Sequence, residues 1–142
     1  MRKRHIVSHI AILLIGLMLS CTTDSDGNFV YPEITDESTR ASDDELLHTL
    51  YLEILELSSA FDCVNAMQWN YTPIGAKACG GPAGYIAYSS RLNERDFLKR
   101  VSHYSTQQAL YNQKWGLFST CDITPEPTGV ICENGEPKLV YE

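Results

Sequence analysis

The stretch at residues 42–61, SDDELLHTLYLEILELSSAF, decides most of the fold. Its leucines, isoleucine and phenylalanine recur at steps of three and four residues, which is the period of one buried face of an α-helix. Ser42 is placed to cap this helix, with Glu45 reaching back to complete a Ser-x-x-Glu capping box. The acidic pair Asp43 and Asp44 lies near the positive end of the helix dipole. The sequence therefore predicts that the folded domain begins at residue 42 with an amphipathic helix.

A second helix is predicted from residue 93 or 94 to about residue 113, and Gly116 is a suitable stop. His48 in the first helix and His103 in the second have no partner at metal-ligand spacing, so we interpret both as structural residues. The apolar stripe of the second helix comprises Phe97, Val101, Tyr104, Gln108 and Tyr111.

The C-terminal part has the pattern of an antiparallel meander. Asn134 and Gly135 have the composition of a tight primed hairpin turn. A turn there sets Val130 opposite Leu139. The predicted strands are 117–123, 130–133 and 138–141. Two helices packed on this small meander make an α+β fold, with a Gly/Pro/aromatic-rich bridged loop between the helices.

Four cysteines fall within the predicted domain, and two disulfides would stabilise a unit of this size. The paired Cys-x-x-Cys spacing of zinc sites is absent. Three pairings can be drawn. If residue 123 opposes residue 130, Cys121 lies opposite Cys132, while the second hairpin sets Cys132 opposite Pro137. This register favours Cys121 with Cys132, which leaves Cys63 to join Cys79.

The segment at residues 63–90 has no long period and concentrates glycine, proline and aromatic residues. The run 79–82 (Cys-Gly-Gly-Pro) lacks the Gly-Lys-Ser/Thr of a phosphate loop and is better suited to reversing the chain. Residues 85–88 after it predict a short strand. The segment is therefore a candidate binding surface, although its aromatic side chains can equally serve as core. The residues predicted for the surface are Trp69, Tyr71, Lys77, Tyr85 and Tyr88.

The leader combines three basic residues at positions 2–4 with an apolar run at 10–19, which is too short to span a bilayer. Leu19-Ser20-Cys21 follows directly. This arrangement resembles the lipobox of bacterial lipoproteins, which implies that Cys21 is lipidated and begins the mature chain. Residues 22–41 are polar and acidic and predict a flexible tether. The predicted organisation is a signal peptide at 1–20, a lipidated cysteine and tether at 21–41, and one domain at 42–142.

The alternative for the leader is an ordinary cleaved signal peptide, with Cys21 left as a thiol or in a disulfide. Lipidation fits the cysteine count better, because five cysteines leave one over when the other four pair. The resemblance implies a protein of the bacterial cell envelope, anchored by lipid at the outer membrane and either periplasmic or surface-exposed.

The charge of the chain restricts its partners. The leader holds three of the 11 basic residues and none of the 18 acidic ones, so a chain processed at Cys21 carries a formal charge of −10. An acidic domain is a poor nucleic-acid binder, since phosphate neutralisation supplies most of that affinity.

The predicted function is that of a non-catalytic binding module, held at the membrane by its lipid, for an extracytoplasmic protein. Neither a cofactor, nor a metal, nor a catalytic residue is predicted. Three alternatives remain open. They are an inhibitor of an extracellular protease or lysozyme, a structural envelope lipoprotein, and a small enzyme whose acid/base carboxylates meet only in space.

Overall fold

The computed structural model describes residues 31–142. In chain order the elements are α1 (Arg40–Ser58), a 3-10 turn (Ala66–Gln68), β1 (Trp69–Ile74), β2 (Gly84–Ser89), α2 (Glu94–Lys114), β3 (Gly129–Glu133) and β4 (Glu136–Val140). The strands form two antiparallel pairs, β1 with β2 and β3 with β4, so the predicted α+β class is confirmed. The predictions for the leader, for Cys21 and for residues 22–30 lie outside the described residues.

Helix α1 begins two residues earlier than predicted, and its cap differs. Thr39 is the N-cap: its hydroxyl accepts from the Ser42 backbone N–H at 3.2 Å, and the Ser42 hydroxyl accepts from the Thr39 N–H at 3.0 Å. The prediction of Ser42 as the cap with Glu45 as its partner is therefore wrong. Thr39, three residues upstream of Ser42, offers the same hydroxyl group for capping. In the longer helix, Asp43 is buried.

The β1–β2 sheet separates two apolar clusters. Residues directly opposite in an antiparallel pair share a face, so Tyr88 and Ile74 lie on one side and Trp69 and Ala87 on the other. The first side packs against the buried faces of α1 and α2, and the second packs against the β3–β4 hairpin. The predicted short strand near residues 85–88 is confirmed as part of β2, whereas β1 was not predicted.

The C-terminal hairpin has the predicted register. Val130 pairs with Leu139 and Cys132 with Pro137. Asn134 and Gly135 both adopt positive φ, 54° and 84°, as a primed turn requires. The start and end of α2 and the turn at Gly116, whose φ is 59°, also agree with the prediction.

Residues 117–128 form no strand, so the predicted first strand of the meander is wrong. This segment, which we call the strap, runs from the end of α2 to β3 without regular secondary structure. Within the predicted strand, Ser119 and Asp122 hydrogen-bond to the loop between β1 and β2, and Phe118 stands on the otherwise polar alternate face. The sheet beside it is therefore a two-stranded hairpin.

The folded part also includes residues that the sequence assigns to the tether. Ile34 is buried, and its backbone N–H donates to Gln107 Oε1 of α2 at 2.7 Å. Lys114 donates to the carbonyl oxygens of Thr35 and Ser38 at 2.6 and 2.7 Å. The predicted domain boundary at residue 42 is therefore too late. None of the helices between residues 31 and 142 is long and apolar enough to cross a membrane.

Candidate functional site

Two of the five residues predicted for a binding surface belong to the core. Trp69 is 6% exposed and packs with Cys63 and Ala87 beneath the hairpin. Tyr88 is 5% exposed, and its ring centroid lies 5.0 Å from that of Phe97. The binding-surface assignment is wrong for these two, because β1 and β2 form the middle layer and their aromatic side chains fill the spaces on both sides.

The Tyr88 hydroxyl is satisfied inside the fold. It donates to Glu94 Oε1 at 2.7 Å, at the first turn of α2. Burial, together with the hydrogen bond to the Glu94 carboxylate and its charge, raises the pKa of Tyr88 to about 12. This side chain therefore stays neutral and connects β2 to α2.

Tyr71 and Tyr85 are half-buried and lie together. Their rings meet edge to face with centroids 6.1 Å apart. Partial burial, the negative charge of Glu126 and the neighbouring phenols of Tyr71 and Tyr141 raise the pKa of Tyr85. The structure therefore brings the tyrosine pair of the predicted surface close to the strap, of which Glu126 is a member.

Lys77 lies in the loop between β1 and β2, which folds into a tight turn. The Lys77 N–H donates to the Gly81 carbonyl and the Gly80 N–H donates back to the Lys77 carbonyl, each at 3.0 Å. Gly80 and Gly81 adopt φ of 99° and 78°, a conformation that disfavours other residues. The prediction that this run reverses the chain is confirmed.

The strap is fastened to this loop at three points. Lys77 Nζ donates to the Asp122 carbonyl, the Cys79 N–H donates to Ser119 Oγ at 3.2 Å, and Thr124 Oγ1 donates to the Pro82 carbonyl at 2.8 Å. Each of these hydrogen bonds joins one residue of the loop to one residue of the strap. The loop and the strap therefore form one continuous surface.

The strap holds two large apolar side chains out into solvent. Phe118 is 98% exposed and Ile123 is 93% exposed. Both residues lie in the predicted strand 117–123 and were not predicted as surface residues. The prolines that follow them and the polar residues between them were the available signals that this segment leaves the sheet.

Helix α2 fixes the other side of the loop. Gln108 Oε1 accepts from the Ala76 N–H at 2.8 Å, and Asn112 Nδ2 donates to the Ala76 carbonyl at 2.8 Å. Ser105 Oγ accepts from the Gly75 N–H at 2.9 Å. The sequence analysis counted Gln108 in the apolar stripe, whereas its side chain serves the loop backbone.

The disulfide between Cys63 and Cys132 replaces both predicted pairings. Their Cα atoms are 5.2 Å apart and the residues are 69 positions apart in sequence. The predicted pairs Cys121 with Cys132 and Cys63 with Cys79 are wrong for two reasons. The strap does not enter the sheet, and β3 packs across β1, which brings Cys132 to the segment preceding β1.

The remaining two cysteines of the described chain meet at the junction of loop and strap. Cys79 and Cys121 are exposed and reduced, and the Cys79 sulfur lies 3.6 Å from the carbonyl oxygen of Thr120, the residue next to Cys121. Ser119 Oγ lies 3.4 Å from the Cys79 sulfur. Hydrogen bonds from Cys121 and Ser119, and the charge of Lys77, lower the pKa of Cys79. The interaction with Cys79 raises the pKa of Cys121.

The histidines of the two helices differ in their contacts. His48 is exposed on α1. His103 Nε2 lies 2.9 Å from the Pro32 carbonyl, and its ring contacts Tyr31 with centroids 5.0 Å apart. His103 therefore holds residues 31 and 32 against α2.

Between residues 31 and 142, no three His, Cys, Asp or Glu side chains are grouped to hold a metal ion. Comparison with protein-family models, curated proteins and solved structures gives no match. The loop and strap are therefore judged on their own geometry.

Proposed function

We propose that this protein is a lipid-anchored, non-catalytic binding module of the bacterial cell envelope that contacts another protein through its strap. The observation that supports this proposal is the exposure of Phe118 and Ile123 on a segment that is fastened at three points. Large apolar side chains in solvent lower solubility unless a partner covers them. Holding them on a fixed base reduces the entropy lost on binding.

The charge of the strap indicates the kind of partner. Asp122 and Glu126 are its only charged residues, and both are acidic. Aromatic anchors surrounded by like-charged groups select an oppositely charged surface and increase the rate of encounter with it. The partner that fits this surface is an extracytoplasmic protein with a basic rim around an apolar pocket.

Inhibition of an extracellular hydrolase is a second candidate function, and the form of the strap favours it. An extended segment of 12 residues, fixed to a base and carrying exposed side chains, can occupy a substrate cleft with little rearrangement. A basic hydrolase such as a lysozyme fits the acidic charge. In this case Phe118 or Ile123 would fill a pocket of the enzyme.

The role of the strap is tested by site-specific photo-crosslinking in the native host. A photoreactive phenylalanine analogue replaces Phe118 in one full-length variant and Met67 in the control, whose side chain is also 93% exposed but lies in the 3-10 turn. We expect the analogue at position 118 to cross-link to one envelope protein. The analogue at position 67 should not cross-link to that protein. The same protein cross-linked equally from both positions, or from neither, would contradict the proposal.

The captured protein is then bound to purified variants. We expect Phe118→Ser and Ile123→Ser each to weaken binding by about tenfold or more, as loss of an interface anchor does, and Met67→Ser to change it less than about twofold. Inhibition assays with the same variants distinguish a hydrolase inhibitor from a simple binding module.

The anchor is tested separately at Cys21. We expect the full-length chain to incorporate radiolabelled palmitate and to sediment with membranes, and Cys21→Ala to lose the label and appear in the soluble fraction. A Cys21→Ala chain that keeps its label and stays on membranes would refute lipidation, while leaving the strap experiments unaffected.

A further inference from the structure

We propose that Cys79 and Cys121 form a second, reversible disulfide that clamps the strap to the β1–β2 loop. The Cys79 sulfur lies against the strap right beside Cys121, 3.6 Å from the Thr120 carbonyl oxygen and 3.4 Å from Ser119 Oγ. Both cysteines are exposed, so an oxidant can reach them without opening the fold. The bond would form whether or not the strap binds a partner.

The surroundings of the pair favour a defined order of attack. Ser119 Oγ lies 3.4 Å from the Cys79 sulfur, where it can donate to the thiolate. Hydrogen bonds from Cys121 and Ser119 and the charge of Lys77 also lower the pKa of Cys79, so Cys79 forms the thiolate more readily. The pKa of Cys121 is raised by the same contact. Cys79 therefore attacks the oxidant first, and Cys121 then attacks the mixed disulfide on Cys79.

The reaction is a thiol–disulfide exchange with a disulfide co-reactant, either a small-molecule disulfide such as oxidised glutathione or that of a thiol oxidoreductase. The Cys79 thiolate attacks one sulfur of the co-reactant and releases the other as a thiol. The Cys121 thiolate then attacks the Cys79 sulfur of the mixed disulfide and releases the second thiol. Two protein thiols become one disulfide, and the co-reactant's disulfide is reduced to two thiols.

The two disulfides of this chain would differ in accessibility. Cys63 is 2% exposed and Cys132 is half-buried beneath the hairpin, whereas Cys79 and Cys121 are both on the surface. A reducing thiolate must reach a sulfur to open the bond. The Cys79–Cys121 bond therefore opens first, which removes the covalent link between strap and loop while the core disulfide persists.

Peptide mapping of the full-length chain tests the pairing. The chain is incubated with oxidised glutathione, its remaining thiols are blocked with N-ethylmaleimide, and it is digested with trypsin and Asp-N. The sequence allows these proteases to place each cysteine of the domain in its own peptide. The peptides are 62–77, 78–91, 115–121 and 122–138.

We expect cross-linked peptides 78–91 with 115–121 and 62–77 with 122–138. In a dithiothreitol titration the first should open at a concentration about tenfold or more below that which opens the second. Peptides 78–91 and 115–121 recovered alkylated or glutathionylated, while 62–77 remains linked to 122–138, would overturn the proposal. So would a link of either peptide to 62–77 or 122–138.

Limited digestion with chymotrypsin tests the clamp. We expect cleavage at Phe118 to be slowed about tenfold by oxidation of the pair, because a clamped segment opens less often to fit a protease. Cys79→Ser and Cys121→Ser should each abolish this effect of oxidation. Equal cleavage rates before and after formation of the 78–91 to 115–121 link would overturn the clamp.

The single-cysteine variants Cys121→Ser and Cys79→Ser test the order of attack, since each leaves one thiol of the pair to react with oxidised glutathione. In Cys121→Ser, Cys79 should accumulate as the mixed disulfide, whereas Cys121 in Cys79→Ser should react more slowly. The reverse order of reactivity would overturn the assignment of Cys79 as the attacking thiol.

Discussion

Asp43 of α1 and Lys114 at the end of α2 form a partly buried ion pair, with 2.9 Å between Oδ2 and Nζ. Among the charged side chains of residues 31–142, Asp43 is the only one that is fully buried. It also accepts hydrogen bonds from Ser38 Oγ at 2.5 Å and from Trp115 Nε1 at 3.0 Å. Burial of this carboxyl opposes its ionisation, but the three donors and the lysine charge outweigh burial and hold the pKa of Asp43 below its usual range.

Replacement of Asp43 by Asn should lower the melting temperature by roughly 10 °C, because it leaves Lys114 beside a neutral group in a partly buried site. The exposed Asp36→Asn is the matched control and should change it by roughly 1 °C or less. Differential scanning calorimetry of the full-length variants measures both. Equal melting temperatures for the two variants would show that the ion pair contributes nothing.

The same pair predicts how stability depends on pH. A carboxyl whose folded pKa lies below its unfolded value of about 3.9 stabilises the fold fully above that unfolded pKa. The contribution is lost as the pH falls through the lower folded pKa. The difference in melting temperature between the wild-type chain and Asp43→Asn should therefore be constant near neutral pH and shrink below about pH 4. A difference that grows on acidification would contradict this assignment.

Ile34 tests whether residues 31–39 belong to the folded unit. Truncation by Ile34→Ala should reduce the free energy of unfolding by about 2 kcal/mol, as loss of a buried isoleucine does. Ile123→Ala removes the same atoms from an exposed position and should cost less than about 0.5 kcal/mol. Urea unfolding of the two full-length variants gives both values. Similar midpoints for the two would place Ile34 in a tether, as the sequence analysis expected.

Short-range patterns account for what the sequence predicts well. The 3.6-residue period fixed both helices, and the Asn134-Gly135 turn fixed the hairpin register, since each signal is contained within about 20 residues. The start of α1 was misjudged because Thr39 and Ser42 offer the same capping group. Helix ends depend on such local competition and on what each alternative buries.

Long-range contacts account for what the sequence does not predict. The Cys63–Cys132 bond depends on β3 crossing β1, which no spacing within either segment encodes. Trp69 and Tyr88 look like Tyr71 and Tyr85 in sequence, and only the presence of layers on both sides of the sheet distinguishes core from surface. The strap was missed because an extended segment without a partner strand has the same local pattern as one with a partner.

The Cys63–Cys132 disulfide should be the larger of the covalent contributions to stability. Replacing both residues with alanine should reduce the free energy of unfolding by about 4 kcal/mol, the chain-entropy value for a separation of 69 residues. Chemical denaturation of the full-length proteins without reductant measures this difference. In excess dithiothreitol the wild-type chain and the double variant should differ by less than about 1 kcal/mol, because neither then contains the bond. A difference that persists unchanged in reductant would assign the effect to packing.

Gly75 is required at the end of β1. Its φ is 73°, and an added Cβ would lie 2.4 Å from Gln108 Oε1, the acceptor that holds the Ala76 N–H. Gly75→Ala should cost about 2 kcal/mol, from the left-handed backbone and the displaced hydrogen bond together. Gly84→Ala, where a Cβ meets no atom within 4 Å, should change stability by less than about 0.5 kcal/mol. Equal urea midpoints for the two variants would show that the loop adapts freely.

The reactivity of Cys79 should depend on pH differently from that of Cys121. In the reduced chain, hydrogen bonds from Cys121 and Ser119 lower the pKa of Cys79 below the ordinary thiol value, so its alkylation by iodoacetamide should reach half its maximal rate at a lower pH than that of Cys121. Mass spectrometry of peptides 78–91 and 115–121 reports the two rates separately. Cys121→Ala and Ser119→Ala should both move the Cys79 profile to higher pH, because each removes a donor to the thiolate. Thr106→Ala, a hydroxyl loss on the exposed side of α2, should leave it unchanged. Coincident profiles for the two cysteines of the wild-type chain would mean that the junction does not activate Cys79.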